Sequence, residues 1–557
     1  MNRSPADAVS ARSRARPVLP LTQFLGAQAG ALLLAGALVA GAGSSASAES
    51  VLRIGMTLAD IPVTTSQPTQ GSEGWRFIGA TLYDSLINWD LTSADKASGL
   101  IPGLATSWES DPANRKRWVF HLRKGVKFHD GTDFNADAVV WNLVKLTDEK
   151  APQYDAAQVA QTFGRMNGVE SFRKLDDHTV ELVTKEPDAL IPYYFGRIFM
   201  ASPTRWEKVG RNWAAFGREP AGTGPWKLDK LVPRERAELV RNTDYWDKNR
   251  IPKVDRMVLL PIPDAVNRTS AMLAGQLDWV EAPAPDLVPR LKSAGMQIVT
   301  NAYPHIWPYW LSRLPDSPFN DVRVRKAVNL AIDRKGLVEL LGGFATPAVG
   351  QFTPGHPWFG KPSFEIKYDP DAARKLLAEA GYSKTKPLRF KALISASGSG
   401  QMQPLTMNEF IQANLRDVGV EVEFDVIEWN TMTTRRAAGA QAPENKGIHA
   451  LNNSWAWPDP DFGIVGVVDS TKIPPRGNNW TNVRNPQFDE LSNKIRNEFD
   501  PDKQAALVGE LHTVMVNDAS WLWVVHDLNP RALSPKVKGF VQAQHWIQDF
   551  SPVYMAK

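Results

Sequence analysis

The 557 residues contain no cysteine, which removes disulfide frameworks, thiol nucleophiles, cysteine-ligated zinc, iron–sulfur clusters and lipid anchoring through an N-terminal cysteine. Histidines number nine and are scattered singly, and no His-Glu-x-x-His pair occurs. No phosphate loop ends in Gly-Lys-Ser/Thr, and the nearest approach to a nucleophile elbow, Ser397-Gly-Ser-Gly400, lacks its first glycine. His129-Asp130 sits in a Gly/Asp-rich turn stretch, where a capping role accounts for it, and no partner completes a catalytic set. No enzyme activity is expected, and no cofactor.

A surplus of one charge is missing as well. The formal +4 comes mostly from the first 48 residues. Arg12, Arg14 and Arg16 precede the uncharged run Ala29–Gly43, and Ala46-Ser-Ala48 forms a small-residue cleavage site, the pattern of a secretory signal. Cleavage is expected after Ala48, giving a periplasmic protein. Its loss takes away four arginines and Asp7 and leaves 60 basic against 59 acidic residues, interspersed throughout. No basic face is available for counterion release, so nucleic acid is excluded as a partner. No later stretch is apolar enough to span a membrane.

What is present is a mixed α/β grammar on a length that suits about three domains. Trp118, Phe120 and Leu122 alternate with polar residues and lead through Lys124-Gly125 to Val126 and Phe128, predicting a strand and its hairpin partner. Val420, Val422, Phe424 and Val426 predict a second half-buried strand. Before it, Met407, Phe410, Ile411, Leu415 and Val418 share a helical face that ends at Gly419. Asp369 and Pro370 open another helix, closed by Gly381. The stretch Val322–Leu341 is predicted to be a single amphipathic helix.

Aromatic density stands out in two proline-containing runs, Tyr303–Trp310 and Ser454–Asp459. Trp307, Trp310, Trp455 and Trp457 offer broad rigid contact area, in a ligand cleft or in the core. Asp459 and Asp461, beside Pro458 and Pro460, are candidate carboxylates in the same run.

Several stretches together resemble bacterial extracellular solute-binding protein family 5, the dipeptide- and oligopeptide-binding components of ATP-binding-cassette importers. They are Leu82-Tyr-Asp-Ser-Leu86, Ile101-Pro-Gly-Leu-Ala-Thr-Ser-Trp108, Trp118–Gly131 with Asn135–Val139, Gly222-Thr-Gly-Pro-Trp226, Asn242-x-x-Tyr-Trp246, Val322–Ala327 with Ala331-Ile-Asp333, and Tyr368-Asp-Pro370. The resemblance implies an α/β fold of two lobes around a hinge cleft with a third domain inserted in the first lobe. Lobe I would comprise 49–84, 216–302 and 526–557, the inserted domain 85–215, and lobe II 303–525. The crossing strands would be Ala302–Leu311 and Trp521–His526, and a monomer would close over a small solute and pass it to a membrane permease.

The resemblance also marks a departure. Dipeptide-binding relatives hold the ligand amine with an Asp and its carboxylate with an Arg. Here the Asp position falls on Ala456 or Trp457, and the loop Ser395–Gln401 has no Arg. Binding is then expected to rest on the four tryptophans, with polar selection by Ser397, Ser399, Gln401 and the early loop Glu73, Trp75 and Arg76. His305 keeps open a metal-chelate or haem-binding variant of the fold, and an exported hydrolase is the alternative from another class.

Overall fold

The computed structural model describes residues 49–557; the signal segment expected over residues 1–48 lies outside them. Two seven-stranded sheets and one four-stranded sheet organise the described residues, with two further two-stranded pairs beside them. The first has seven strands, with Val51–Met56 parallel to both Arg256–Pro261 and Trp279–Glu281 near its middle. Trp226–Val232 and Arg236–Arg241 extend one side, and Arg531–Leu533 lies between Trp279–Glu281 and Gln297–Val299 on the other. The chain leaves this sheet after Met56 to build a four-stranded antiparallel sheet from Ala105–Asp111, Asn114–Leu122, Thr179–Thr184 and Val169–Asp176, then returns at Trp226.

The second large sheet begins with His305–Leu311, which lies antiparallel to Trp521–Asp527 and to Ala450–Asn452. Leu388–Ser395 and Val420–Ile427 continue it as a parallel pair in an eight-residue register. Pro404–Asp417 connects them as the expected helix; its Met407, Ile411 and Leu415 pack on Leu388, Phe390 and Val422, and Gly419 takes the positive φ (87°) that ends it. The helix Pro370–Glu379 is capped by Asp369, whose Oδ1 accepts the Ala372 amide at 3.0 Å. The two chain crossings between the large sheets touch: the Asn301 amide donates to the Leu528 carbonyl at 2.9 Å.

Two local expectations are corrected. Val126 and Phe128 are buried but form no hairpin strand; Asn114–Leu122 pairs instead with Ala105–Asp111 and Thr179–Thr184, and the Phe128 amide closes a turn on the Thr132 carbonyl (2.8 Å). The stretch 322–341 is two helices, Val322–Leu330 and Arg334–Leu340. Asp333 breaks it, because its carboxylate caps the second helix at the Gly336 amide (3.0 Å), a local bond that competes with helix continuation. His129-Asp130 is structural, as read: Asp130 accepts from Thr132 and Ser202, and His129 Nε2 lies 2.9 Å from the Gly224 carbonyl oxygen.

Several of the family-like stretches meet at one buried carboxylate. Asp84 accepts from the Tyr245 hydroxyl (2.9 Å), the Trp246 indole (2.8 Å) and Thr223 (2.9 Å), so Leu82–Leu86, Gly222–Trp226 and Asn242–Trp246 are pinned together. Burial raises the Asp84 pKa, and these donors pull against that rise.

Candidate ligand-binding site

The site is assembled from a wide helical turn, a strand end and two loops. Residues Trp75–Gly79 form a π-helical turn, the kind of local irregularity that re-aims side chains. Trp75 and Glu73 are buried there. Facing them is the short strand Trp455–Ala456, paired to His305–Ile306, with the Trp457 amide donating to the Pro304 carbonyl at 3.0 Å. His305, Trp455 and Ala456 of this pairing line one cavity, and Tyr303, Pro304 and Trp457 just beyond it line another.

The larger cavity, about 190 Å³, is walled by Trp89, Tyr193, Tyr303, His356, Trp358 and Trp457. The smaller, about 40 Å³, is walled by Trp75, Phe163, His305, Ser399, Arg436 and Trp455. Phe163 reaches it from a backbone with φ 55°, a conformation costly for a bulky residue and usually held only where packing demands it. Its ring meets Trp75 at 5.6 Å and Phe462 at 5.2 Å, edge to face. Between the cavities Tyr303, His305 and Trp546 stack, with Tyr303 and His305 5.2 Å apart and 7° from parallel. Burial, with His526 adding to it, pushes the His305 pKa down to about 3, so the ring is neutral.

The expected residues divide by role. Trp75, His305, Ser399 and Trp455 line the smaller cavity and Trp457 the larger. Trp310 stacks on Trp521 (4.7 Å, 15°) and lies behind Trp455, while Trp307 donates its indole N–H to Gln401 Oε1 (2.8 Å) inside the second core; both are fully buried. Ser397 is half-buried and lines neither cavity. Arg76 is held by an ion pair to Glu281 and by the Trp546 carbonyl (2.9 Å). Glu281 also takes Arg531 and the Trp279 indole, each at 2.7 Å. Burial alone would raise its pKa, yet Arg531 and Arg76 bring it down to about 2. Glu73, next door, has no such arginine bond: burial and the Glu281 charge push its pKa up to about 7. Its Oε1 accepts from Thr57 (2.5 Å), and its amide donates to Ser399 Oγ (3.1 Å). Asp459 and Asp461 face Arg165 at 3.4 and 3.6 Å, all buried, and Asp459 also caps the Phe462 amide (2.7 Å).

The sequence profile of a family described as bacterial extracellular solute-binding proteins, family 5 Middle, matches residues 99–475. The chain belongs to that family. Among family 5 relatives it is 29% identical to heme-binding protein A of Haemophilus influenzae, over 83% of this chain and 84% of that one. It is 26% identical to di/tripeptide-binding protein 2 of Pseudomonas aeruginosa, over 88% and 94%. The fold matches a dipeptide-binding protein from Pseudoalteromonas sp. SM9913 solved with Met-Leu, with a TM-score of 0.79, 22% identity and coverage of 91% and 100%. It matches DppA of Helicobacter pylori, solved with the peptide STSA, with a TM-score of 0.78, 23% identity and coverage of 91% and 98%. A periplasmic-binding-protein α/β fold and a solute-binding role follow, and the family is one of binding proteins rather than enzymes.

Around these two cavities, sequence reasoning missed Phe163, Arg165, Arg197, Trp429, Arg436, Phe462 and Trp546. They come from segments without a repeated pattern, and only the fold brings 163, 197, 436 and 462 together. Trp429 has one legible partner: a side chain at Gly398 (φ 135°) would strike its indole, so that glycine is dictated by the close approach.

Proposed function

We propose that this protein is a periplasmic capture protein that closes its lobes over one small solute, peptide-like or otherwise compatible with aromatic walls, and delivers it to the permease of an ATP-binding-cassette importer. The observation that carries this reading is the pair of aromatic cavities whose walls come from three parts of the chain: the early turn at Trp75, the excursion at Phe163 and Tyr193, and the second sheet at Trp455 and Trp457. A cleft shared by separate folding units is what hinge closure needs, since a ligand touching all of them favours the closed arrangement. The lobes we assign are 49–84, 216–302 and 526–557 for the first, 85–215 for the inserted domain and 303–525 for the second. Arg165 and Asp459 then meet across a boundary that opens and closes.

Export with cleavage after Ala48 would leave Ser50, fixed by Asp255 through its amide (2.8 Å) and hydroxyl (2.7 Å), as the second residue of the exported protein. N-terminal sequencing of the exported protein is expected to begin at Glu49.

The test of the function is mass spectrometry of small molecules released from the purified protein, followed by titration of the identified compound. One-to-one saturation, a rise in melting temperature and a smaller scattering radius are expected. Steady consumption of the compound, or saturation with no compaction, refutes the reading.

A further inference from the structure

Buried arginines divide the cleft region into two kinds. Arg268 is buried and has no carboxylate partner, yet four backbone carbonyls accept from it. Arg334 is likewise saturated, by the carbonyls of Trp523, Asn329 and Ile332 and the side chain of Asn329. Arg435, adjacent to the cavity wall, bonds Asp425, Asn445 and the Glu444 carbonyl. These are structural groups, with their five N–H donors largely matched.

Arg436 and Arg197 are different. Arg436 is 6% exposed, lines the smaller cavity, and makes one side-chain hydrogen bond, to Asn478 Oδ1 at 2.6 Å. The rings of Phe163 and Trp455 each lie 5.3 Å from its guanidinium carbon, and no carboxylate is within ion-pair distance among the described residues. Arg197, 3% exposed, has no hydrogen-bond acceptor for its Nε or Nη1 among the described residues. It lies against the faces of Trp75 (4.3 Å) and Phe462 (4.6 Å), two walls of the same cavity. Asp459 and Asp461 are the carboxylates near it, and both face Arg165. Burial lowers the pKa of both arginines, to about 10 for Arg436 and, with repulsion from Arg165, to about 9 for Arg197, so both remain charged at neutral pH.

The cavity is short of acceptors in other ways. The indole N–H groups of Trp429 and Trp546, both lining it, are buried without a partner among the described residues. Among the described residues the unmatched acceptors of its lining side chains are Asn453 Oδ1 and one ring nitrogen of the neutral His305, whose other nitrogen is a further unmatched donor. Donors in excess, a guanidinium short of partners and aromatic walls describe a receptor for an acceptor-only group attached to an apolar body. At about 40 Å³ the cavity has room for an acid group rather than a whole ligand.

We propose that the solute is an organic anion whose carboxylate enters the smaller cavity between Trp75 and Trp455 and is received by Arg436, with Arg197 supplying positive potential from behind the Trp75–Phe462 wall. A planar carboxylate can take two parallel N–H bonds from one guanidinium, and inside a dry cavity such a bond is strong. The loop Ser395–Gln401 needs no arginine for this, because the charge comes from Arg436, which lines the same cavity as Ser399 of that loop. This inference rests on the solute-binding reading above.

The test is a thermal-shift screen of the purified protein against matched pairs: phenylacetate and phenylacetamide, indole-3-acetate and its amide, and a set of dipeptides and their C-terminal amides, together with mass spectrometry of any compound released on denaturation. Carboxylates are expected to raise the melting temperature and their amides not to. The tightest acid should lose at least tenfold in affinity in Arg436→Gln and severalfold in Arg197→Gln, with partial recovery in Arg436→Lys, which keeps the charge and loses the fork. Equal binding of an acid and its amide, a released solute without an acidic group, or undiminished acid binding in a folded Arg436→Gln protein overturns the proposal while leaving solute binding intact. Failure of every probe together with an empty wild-type protein overturns both.

Discussion

The indole of Trp455 lies flat on the ring of Phe462, with centroids 4.2 Å apart and planes 15° from parallel, and donates its N–H to the Phe462 carbonyl at 2.6 Å. This closes the turn that presents Asp459 and Asp461, so the cavity wall and the two carboxylates move as one piece. The same loop carries Trp457 to the other cavity.

Trp457 is therefore both wall and core. Its ring packs edge-on against Phe352 and His356 at 5.2 Å, and it is 4% exposed. Trp457→Ala is expected to weaken the cognate solute about tenfold and also to destabilise the protein by about 3–5 kcal/mol, the usual result of emptying a buried aromatic site. Trp457→Phe should retain most of the stability. Calorimetric titration beside urea unfolding separates the two effects; wild-type affinity in a folded Trp457→Ala protein would place the solute elsewhere.

Arg165 neutralises two carboxylates that have lost water. In Arg165→Met both stay buried, with the more distant Arg197 and, for Asp461, Arg496 to offset them. Breaking a buried pair from one side costs about 3 kcal/mol, and the denaturation midpoint should fall accordingly. Restoring Asp459→Asn and Asp461→Asn in the same chain should recover much of the loss. A change below about 1 kcal/mol would mean that these groups sit in a wetter setting than their burial indicates.

Glu73 gives a pH signature. Its folded pKa of about 7 lies above the ordinary 4.5, so between those values the folded protein keeps a proton that the unfolded chain releases. Stability from this group is therefore greatest below about pH 4.5, falls as pH rises, and levels off above 7, a change of about 3 kcal/mol. Glu73→Gln, which cannot ionise, should gain on the wild type by that amount between pH 5 and 8 in urea titrations. Parallel curves for the two proteins would refute the assignment.

Gly400 has φ 68°, and a side chain there would stand 2.6 Å from Trp546 and 2.7 Å from the His305 ring. Gly400→Ala combines left-handed backbone strain with a clash against the stack between the cavities. A loss of about 2 kcal/mol is expected, together with weaker solute binding. Unchanged binding in this variant would show that the Tyr303–His305–Trp546 stack does not shape the ligand.

How legible this was depended on how local the signal is. The helix after Asp369, the helix Pro404–Asp417 and the strand Val420–Ile427 are written in caps and periodicity, and they fold as read. The break at Asp333 was missed because an apolar period runs through it, while the deciding bond is a side chain reaching its own backbone. The family-like stretch at Asp84 reads as a motif, but its meaning, three donors on one carboxylate, appears only when Thr223 and Tyr245 arrive. Two of the four tryptophans chosen for the cleft line a cavity and two stand behind it, since composition cannot say which face of a strand meets solvent. The arginines against the aromatic box were invisible for a plainer reason: Arg165, Arg197 and Arg436 are brought together by tertiary structure alone.

The placement of Arg531–Leu533 inside the first sheet sets a timetable. That strand is made long after Val51–Met56, yet it joins Trp279–Glu281 to Gln297–Val299 in the same sheet. Until it arrives, Gln297–Val299 has no neighbour in the sheet and Glu281 lacks its Arg531. Contacts this distant along the chain make for slow closure. A chain whose first sheet needs residues 531–533 keeps that sheet unfinished until those residues have been made.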